Sequence, residues 1–473
     1  MDMLLIPLNK NSSTPLYEQI YQQIKQEIIK GNLAVGTKLP SKRKMEQFLN
    51  VSQTTIELAY GQLLAEGFIS ALPRRGYFVQ EIEELSYVQK DEAPTKNISF
   101  PKEEYDIDFS PGKIDLDAFP FVPWRKYARD VIDPTNKHLL MHGHQHGDIE
   151  LRNEIARYLY HSRGVECSPD QIIVGSGTEQ LLPLLIRILG ENAVYGIEDP
   201  GYPLTHHIFP LNQRKAIPIP VDSEGMNVEK LQNTEANVAY VTPSHQFPTG
   251  TVLTAARRTA LLNWAASNEN HYIIEDDYDS EFRYTGRPIP SLQGMDQANK
   301  VIYLSTFSKS LMPSLRIAYM VLPTILLEKY TKVFTHYAST VPRFEQQILA
   351  RFMADGHFSR HLNRMRNLYK RKLLLLTETL QEYAPIVTYS GDEAGMHIMI
   401  RVNVEQDEET LIELARKKNI RINGLNEYRL ASIEKTPSFL IGFGGIPEDQ
   451  ITESIHTLME AWNIQRNISY GTN

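Results

Sequence analysis

The stretch "STFSKSLMPSLR", Ser305 to Arg316, holds one lysine, Lys309, between two serines in otherwise apolar or hydroxylic surroundings. Apolar surroundings disfavour an ammonium and promote loss of its proton. A lysine with a lowered pKa is a nucleophile toward aldehydes. Taken alone, the segment reads more readily as a surface loop, because lysine is mostly exposed. The rest of the chain decides between the two.

Upstream of Lys309, helical stretches alternate with short apolar, β-rich runs. These are "QIIVGSG" (171–177), "AVYGIED" (193–199), "VAYVTPS" (238–244), "HYIIEDDY" (271–278) and "KVIYLSTFS" (300–308). Short apolar strands between helices predict a mostly parallel sheet in a large α/β domain over residues 108–473. Ligands of such domains bind at the carboxyl ends of the strands. Each run ends in polar or glycine residues, as such a site requires.

A pyridoxal phosphate site needs a lysine and an acid beside the pyridine nitrogen. It also needs a hydroxyl near the ring oxygen, an aromatic plane over the ring, and donors for the phosphate. Asp276 in "IIEDDYDSEF" (273–282) suits the pyridine nitrogen, and Tyr278 the ring oxygen. Five acids within residues 275–281 would repel one another without a nearby cation or protonated ring. "GSGTEQ" (175–180) joins a strand to a helix, where Gly177 and Thr178 would present backbone N–H groups to phosphate. Thr306, Ser308 and Arg316 supply further phosphate donors. Tyr202 in "EDPGYP" (198–203) is set by a turn to stack on the ring.

The order GSGT, PGY, TP-S-x-x-x-PTG, D-x-Y, then S-K with Arg at +7, resembles the class I/II aminotransferases over roughly residues 106–460. The resemblance implies the aspartate-aminotransferase fold, fold type I, with Lys309 in a Schiff base to pyridoxal 5'-phosphate. It also implies that Asp276 pairs with the ring nitrogen, Tyr278 with the ring oxygen, and that Tyr202 stacks. Gly177, Thr178, Thr306, Ser308 and Arg316 would hold the phosphate. Two positions depart from that pattern. In "SHQFPTG" (244–250), Phe247 stands where the enzymes carry an asparagine to the ring oxygen. In "FLIGFGG" (439–445), Leu440 stands where they carry the arginine that clamps a substrate carboxylate. Arg429 in "EYRLAS" is the remaining candidate for that clamp. Both losses argue against an efficient transaminase and leave at most residual half-transamination.

The N-terminal 80 residues have a different character. They carry nine Lys or Arg against six Asp or Glu, within a chain whose net charge is −8. A small basic module on a large acidic body points to nucleic acid for the module alone. "TPLYEQIYQQIKQEIIKG" (14–31) repeats Leu16, Ile20, Ile24 and Ile28, which predicts a helix capped by Thr14, with Pro15 in its first turn and Gly31 at its end. Ser41 and Ser52 then cap two helices three or four residues apart, a helix-turn-helix. Ile56, Tyr60 and Leu63 form the buried face of the second. "FISALPRRGYFVQ" (68–80) reads as two short strands around Arg74, Arg75 and Gly76, completing a winged helix. Gln53, Thr54 and Thr55 would face the major groove. Lys38, Lys42, Arg43 and Lys44, with Arg74 and Arg75 in the wing, would meet phosphate or the minor groove.

Residues 14–80 resemble the GntR family of bacterial regulators nearly end to end, with Lys42 where the family often has glutamate. Residues 81–107, rich in Glu, Asp, Lys and Pro, read as a linker. A GntR winged helix, a linker and an aminotransferase-like domain together resemble the MocR/GabR subfamily. That resemblance implies a DNA operator as partner and a head-to-tail, domain-swapped homodimer. The large domain would be a sensor of pyridoxal phosphate, or of its adduct with an amine such as γ-aminobutyrate or D-alanine. The missing carboxylate arginine favours pyridoxal phosphate itself, and control of vitamin B6 synthesis. A working aminotransferase with an appended domain, and a regulator with a cofactor-free body, are the alternatives. With the single Cys167, no signal pattern and no bilayer-length apolar run, a cytoplasmic protein with no membrane partner is expected.

Overall fold

The structure, a computed structural model, describes residues 7–10, 12–81, 104–286, 289–431 and 433–467. They fall into two compact units, one N-terminal and one beginning near Glu103. The 81–107 segment lies mostly outside the described residues. At its end, Ile107–Asp108 (β3) pairs in parallel with a strand of the second unit.

In the first unit, α1 (Leu16–Ile29) buries Ile20, Ile24 and Ile28. Its N-cap is Pro15 rather than Thr14, and no side chain caps it. Proline fixes φ there and lacks the N–H that would need a partner. The next two helices start where serine chemistry places them. Ser41 accepts from the Lys44 N–H ahead of α2 (Lys42–Leu49), and Ser52 accepts from the Thr55 N–H ahead of α3 (Gln53–Ala65). Asn50 turns between them at φ +49, a left-handed conformation that asparagine tolerates. Strands β1 (Ile69–Leu72) and β2 (Gly76–Val79) pair antiparallel as the wing. Ile56, Tyr60 and Leu63 meet Ile69 and Val79 in one buried cluster, so helices and wing share a core.

The second unit is built on eight strands. They are β4 (Ile172–Gly175), β5 (Tyr195–Asp199), β6 (Ala216–Asp222), β7 (Gly225–Met226), β8 (Val238–Val241), β9 (Tyr272–Asp277), β10 (Val301–Thr306) and β11 (Ala318–Val321). Their order is β4-β11-β10-β9-β8-β5-β6-β7. The centre, β10 to β6, is parallel, as expected. Strand β11 runs antiparallel to both β10 and β4, which makes the sheet mixed. Only eleven residues, 307–317, turn and cross between β10 and β11, so the chain reverses without a crossover helix. Helices cover the sheet, and its strands are buried nearly throughout.

A four-stranded sheet follows, of β12 (Val387–Ser390), β13 (His397–Val402), β15 (Asn423–Gly424) and β16 (Ser438–Gly442), while β14 (Ile420–Arg421) is the partner of β3. The 25-residue helix His357–Gln381 supplies Tyr369, Leu373 and Leu376 to the core of this part. No helix of the described residues is long and apolar enough to cross a membrane.

Candidate cofactor site and nucleic-acid surface

Lys309 follows the end of β10 and reaches a cavity of about 630 Å³. Gly177, Thr178, Tyr202, Asp276, Tyr278, Thr306, Ser308 and Arg316 line the same cavity. These residues span 140 positions of sequence. They converge because β4, β5, β9 and β10 all end at one edge of the sheet, the edge where an α/β sheet binds ligands.

The Lys309 Nζ donates to the Pro111 carbonyl at 3.1 Å. Burial pulls its ammonium down to about 8, with Asp279 opposing the shift. About a tenth is then the free amine at pH 7, far more than for an ordinary lysine, and that is the form that attacks an aldehyde. Asp276 lies within β9 itself and is wholly enclosed. Burial pushes its carboxyl up to about 7, against the hydrogen bond it accepts from the Tyr240 hydroxyl. A protonated ring nitrogen is the counter-charge that such a carboxylate lacks. Tyr278 donates to the His245 carbonyl at 2.9 Å, and the His245 Nδ1 lies 2.9 Å from Asp279 Oδ2.

The anion end is a loop and a helix start. Gly177 precedes the helix Thr178–Leu189 at φ +132. That φ favours glycine, and a Cβ there would lie 2.2 Å from Arg316 Nη2 and 2.6 Å from Glu179 Oε2, so both side-chain ends would have to move aside. Arg316 sits at φ +53, a left-handed conformation rare outside glycine. Its guanidinium is paired with Glu179. The Thr306 and Ser308 hydroxyls lie 2.9 Å apart. A cation, hydroxyls and helix N–H groups at one end, with a carboxylate among aromatic rings elsewhere, fit the phosphate and the ring of pyridoxal phosphate.

Other residues of this cavity had no role in the sequence reading. Pro111 and Gly112 arrive from the start of the unit, and Tyr428 from its far end. Thr242 holds the Phe247 N–H at 3.0 Å, and Glu179 meets Arg316. The "SPG" turn at 110–112 was their one visible signal. Phe247 lines the cavity with its ring edge-on to Tyr202, Tyr278 and Tyr428. It offers an apolar edge where an amide would offer a hydrogen bond. Leu440 is fully buried with Leu425 and Tyr428, inside an apolar cluster. Arg429 does not line the cavity. Its Nη2 donates to Glu434 at 2.6 Å.

In the first unit, Lys38, Arg43, Lys44, Gln53, Thr54, Arg74 and Arg75 are exposed, and Lys42, Thr55 and Gly76 are half-buried. Lys38 pairs with Phe78 of the wing, and its stem lies 3.1 Å from where a Gly76 Cβ would stand. The hydroxyls of Ser41 and Ser52 are committed to their caps. Glu57, one turn into α3, accepts from Gln53 Nε2 at 3.2 Å and Lys42 Nζ at 3.3 Å. These two contacts hold its carboxyl below the ordinary range.

Residues 107–458 match the aminotransferase class I and II family, and residues 16–79 match the bacterial regulatory proteins of the gntR family. An uncharacterised HTH-type transcriptional regulator of Bacillus subtilis, YdeL, is 44% identical, covering 97% of this chain and 99% of that protein. The pyridoxine biosynthesis regulator PdxR of Corynebacterium glutamicum is 31% identical over 95% of this chain and 96% of its own length. The probable rhizopine catabolism regulator MocR of Rhizobium meliloti is also 31% identical, over 97% and 96%. Among solved structures, a kynurenine aminotransferase of Pyrococcus horikoshii superposes with a TM-score of 0.67. It is 28% identical, over 77% of this chain and 91% of the enzyme. The cofactor of this fold-type I domain is pyridoxal 5'-phosphate, and the winged helix is of a DNA-binding type. The chain belongs to the MocR subfamily of gntR-type transcriptional regulators, in which that winged helix is fused to an aminotransferase class I and II domain.

Proposed function

We propose that the protein senses pyridoxal 5'-phosphate at Lys309 and, as a head-to-tail homodimer, controls genes for vitamin B6 synthesis. When bound, the cofactor supplies an aldehyde and an electron-withdrawing ring. Lys309 offers its amine to that aldehyde, and Asp276 the countercharge to the ring nitrogen. Tyr278 offers a hydroxyl to the ring oxygen, and Tyr202 a flat face. Gly177, Thr178, Thr306, Ser308 and Arg316 gather at the phosphate. Gln53, Thr54 and Thr55 read bases, while Lys38, Lys42, Arg43, Arg74 and Arg75 grip the backbone of the duplex.

One observation carries the choice of signal. The cavity combines a reactive lysine with Phe247, Leu440 is buried in the apolar cluster behind Tyr428, and Arg429 pairs with Glu434 outside the cavity lining. A site that recognises an amino acid by its carboxylate needs a guanidinium fork for it. Among the described residues, the one arginine lining this cavity is Arg316, at the phosphate end. The arrangement therefore favours the cofactor over an amino acid as the signal. A ligand shifts domain arrangement only by binding one arrangement better than another. Contacts made through Lys309, Arg316 and Asp276 are strong enough to supply such a difference.

The test is binding to the DNA flanking the protein's own gene. It is run without ligand, with pyridoxal phosphate, and with pyridoxal phosphate plus γ-aminobutyrate or D-alanine, and repeated with Lys309→Ala. A shift in affinity or footprint with pyridoxal phosphate alone, absent in Lys309→Ala, is the expected result. A response only when the amine is added would make bound cofactor the reagent and the amine the signal. Sustained turnover of an amino donor would replace both by a working aminotransferase.

A further inference from the structure

A second cavity, of about 470 Å³, lies in the large unit and shares no lining residue with the cofactor cavity. Its walls come from the helix Ile149–Arg163, from the start of the helix His357–Gln381, and from the loop after β9. Its lining includes three arginines, Arg157, Arg283 and Arg366. It also includes Tyr158, Phe358 and Leu362.

The acids in it are already answered. Glu154 is held by Arg157 at 3.1 Å. Glu281 accepts from the Tyr158 hydroxyl at 3.0 Å, and burial pushes its carboxyl up to about 7. Arg163, at the same wall, is spent on Asp277 at 2.7 Å. Arg283 is different. Its Nη2 reaches Glu393 at 3.3 Å, but its Nε and Nη1 are buried and have no partner among the described residues. Buried cationic donors without an acceptor are costly. The guanidinium lies near Gly286, its Nη2 3.6 Å and its Nε 3.9 Å from where a Cβ would stand.

We propose that this cavity binds a small organic carboxylate with an apolar body, its carboxylate seated on Arg283 and its body against Phe358 and Tyr158. The segment 276–281 is then a shared wall. Asp276 and Tyr278 line the cofactor cavity, while Ser280 and Glu281 line the second. Occupation of one cavity acts on the backbone that positions the acid of the other. Binding in the second cavity does not depend on the regulator reading; only its effect on DNA would.

The experiment is calorimetry on the cofactor-loaded full chain, with phenylacetate and octanoate as probes and phenylacetamide as the neutral isostere. One saturable site in the millimolar range or tighter is expected for at least one carboxylate, with the amide about tenfold weaker or worse. Arg283→Gln should weaken the carboxylate by about tenfold and leave the amide unchanged. If that variant fails to fold, Arg157→Gln, on the exposed rim, should produce a smaller loss of the same kind. Saturation by neither carboxylate, equal binding of acid and amide, indifference to the Arg variants, or release of cofactor on binding would each overturn the proposal.

Discussion

Glu179 and Arg316 stand 137 residues apart in the chain and close on each other as an ion pair at the anion end of the cofactor cavity. The carboxylate takes the guanidinium that a phosphate would need. Both side chains are about half exposed, so the pair itself is weak, about 0.2–1 kcal/mol. Glu179→Gln is therefore expected to tighten pyridoxal phosphate binding by only about two- to fivefold. Arg316→Ala should weaken it by far more. Fluorescence titration of the two variants measures both, and a looser Glu179→Gln would show that the carboxylate supports the cradle instead of competing for it.

Lys309 titrates near 8 in the folded chain against 10.5 when free. The rate of capture of pyridoxal phosphate by the cofactor-free protein should rise with pH through about 8. The same depression gives stability a pH dependence. Between about 8 and 10.5 the unfolded lysine holds a proton that the folded one has lost, so stability rises with pH across that window. Lys309→Met should flatten this rise in chemical denaturation and abolish the visible absorption of lysine-linked cofactor. An unchanged spectrum would remove Lys309 from the site.

Asp276 carries the opposite sign. Its folded carboxyl is raised to about 7 from 3.8, so between those values the folded state holds the extra proton and stability falls as pH rises. The full cost persists above 7. In the cofactor-free protein, Asp276→Asn should raise the melting temperature at pH 8 and remove the decline between pH 4 and 7. In the loaded protein it should lower affinity, because the ring loses its countercharge. A variant that destabilises the empty protein would mean that the Tyr240 hydrogen bond outweighs the buried charge.

Arg75 is exposed on the wing and its guanidinium lies 5.9 Å over the Phe78 ring, so its removal leaves the core intact. Arg75→Ala should weaken DNA binding and reduce the slope of log affinity against log salt by about 1. Gln53→Ala should instead weaken one operator sequence and leave the salt slope alone. Affinity measured at several salt concentrations separates the two, and an unaltered slope for Arg75→Ala would place the wing away from phosphate.

What was legible in the sequence follows from how local each signal is. Ser41 and Ser52 announce their helices because a cap is decided within four residues. Lys309, Asp276 and Tyr278 are legible because an apolar strand followed by a polar turn is a local pattern with a fixed place in an α/β sheet. Pro15 displaced Thr14 as the cap, since proline needs no side-chain acceptor for the N–H it lacks. Tyr240 and Tyr428 had no local mark of their role, and Pro111 only the turn that holds it. Their roles arise only when distant strands bring them to Lys309, Asp276 and Phe247. The second cavity was equally silent, because Arg157, Arg283 and Arg366 converge from three separate elements. The place of Arg429 was equally open in the sequence; in the structure it pairs with Glu434, five residues on.

Glu57 gives the winged helix a property that its cations alone would not have. It stands between Lys42 and Gln53 and draws on both. With the proposed face toward DNA, that carboxylate repels every duplex equally, whatever its sequence. Indiscriminate attraction to phosphate is thereby trimmed, while a duplex that offers Gln53 an adenine can still recruit it from its resting contact. A regulator searching a genome spends most of its time on wrong sites; with this face on DNA, the single acid shortens those visits and the stay on the right site by the same factor, so it quickens the search and leaves the choice of site to Gln53 and its neighbours.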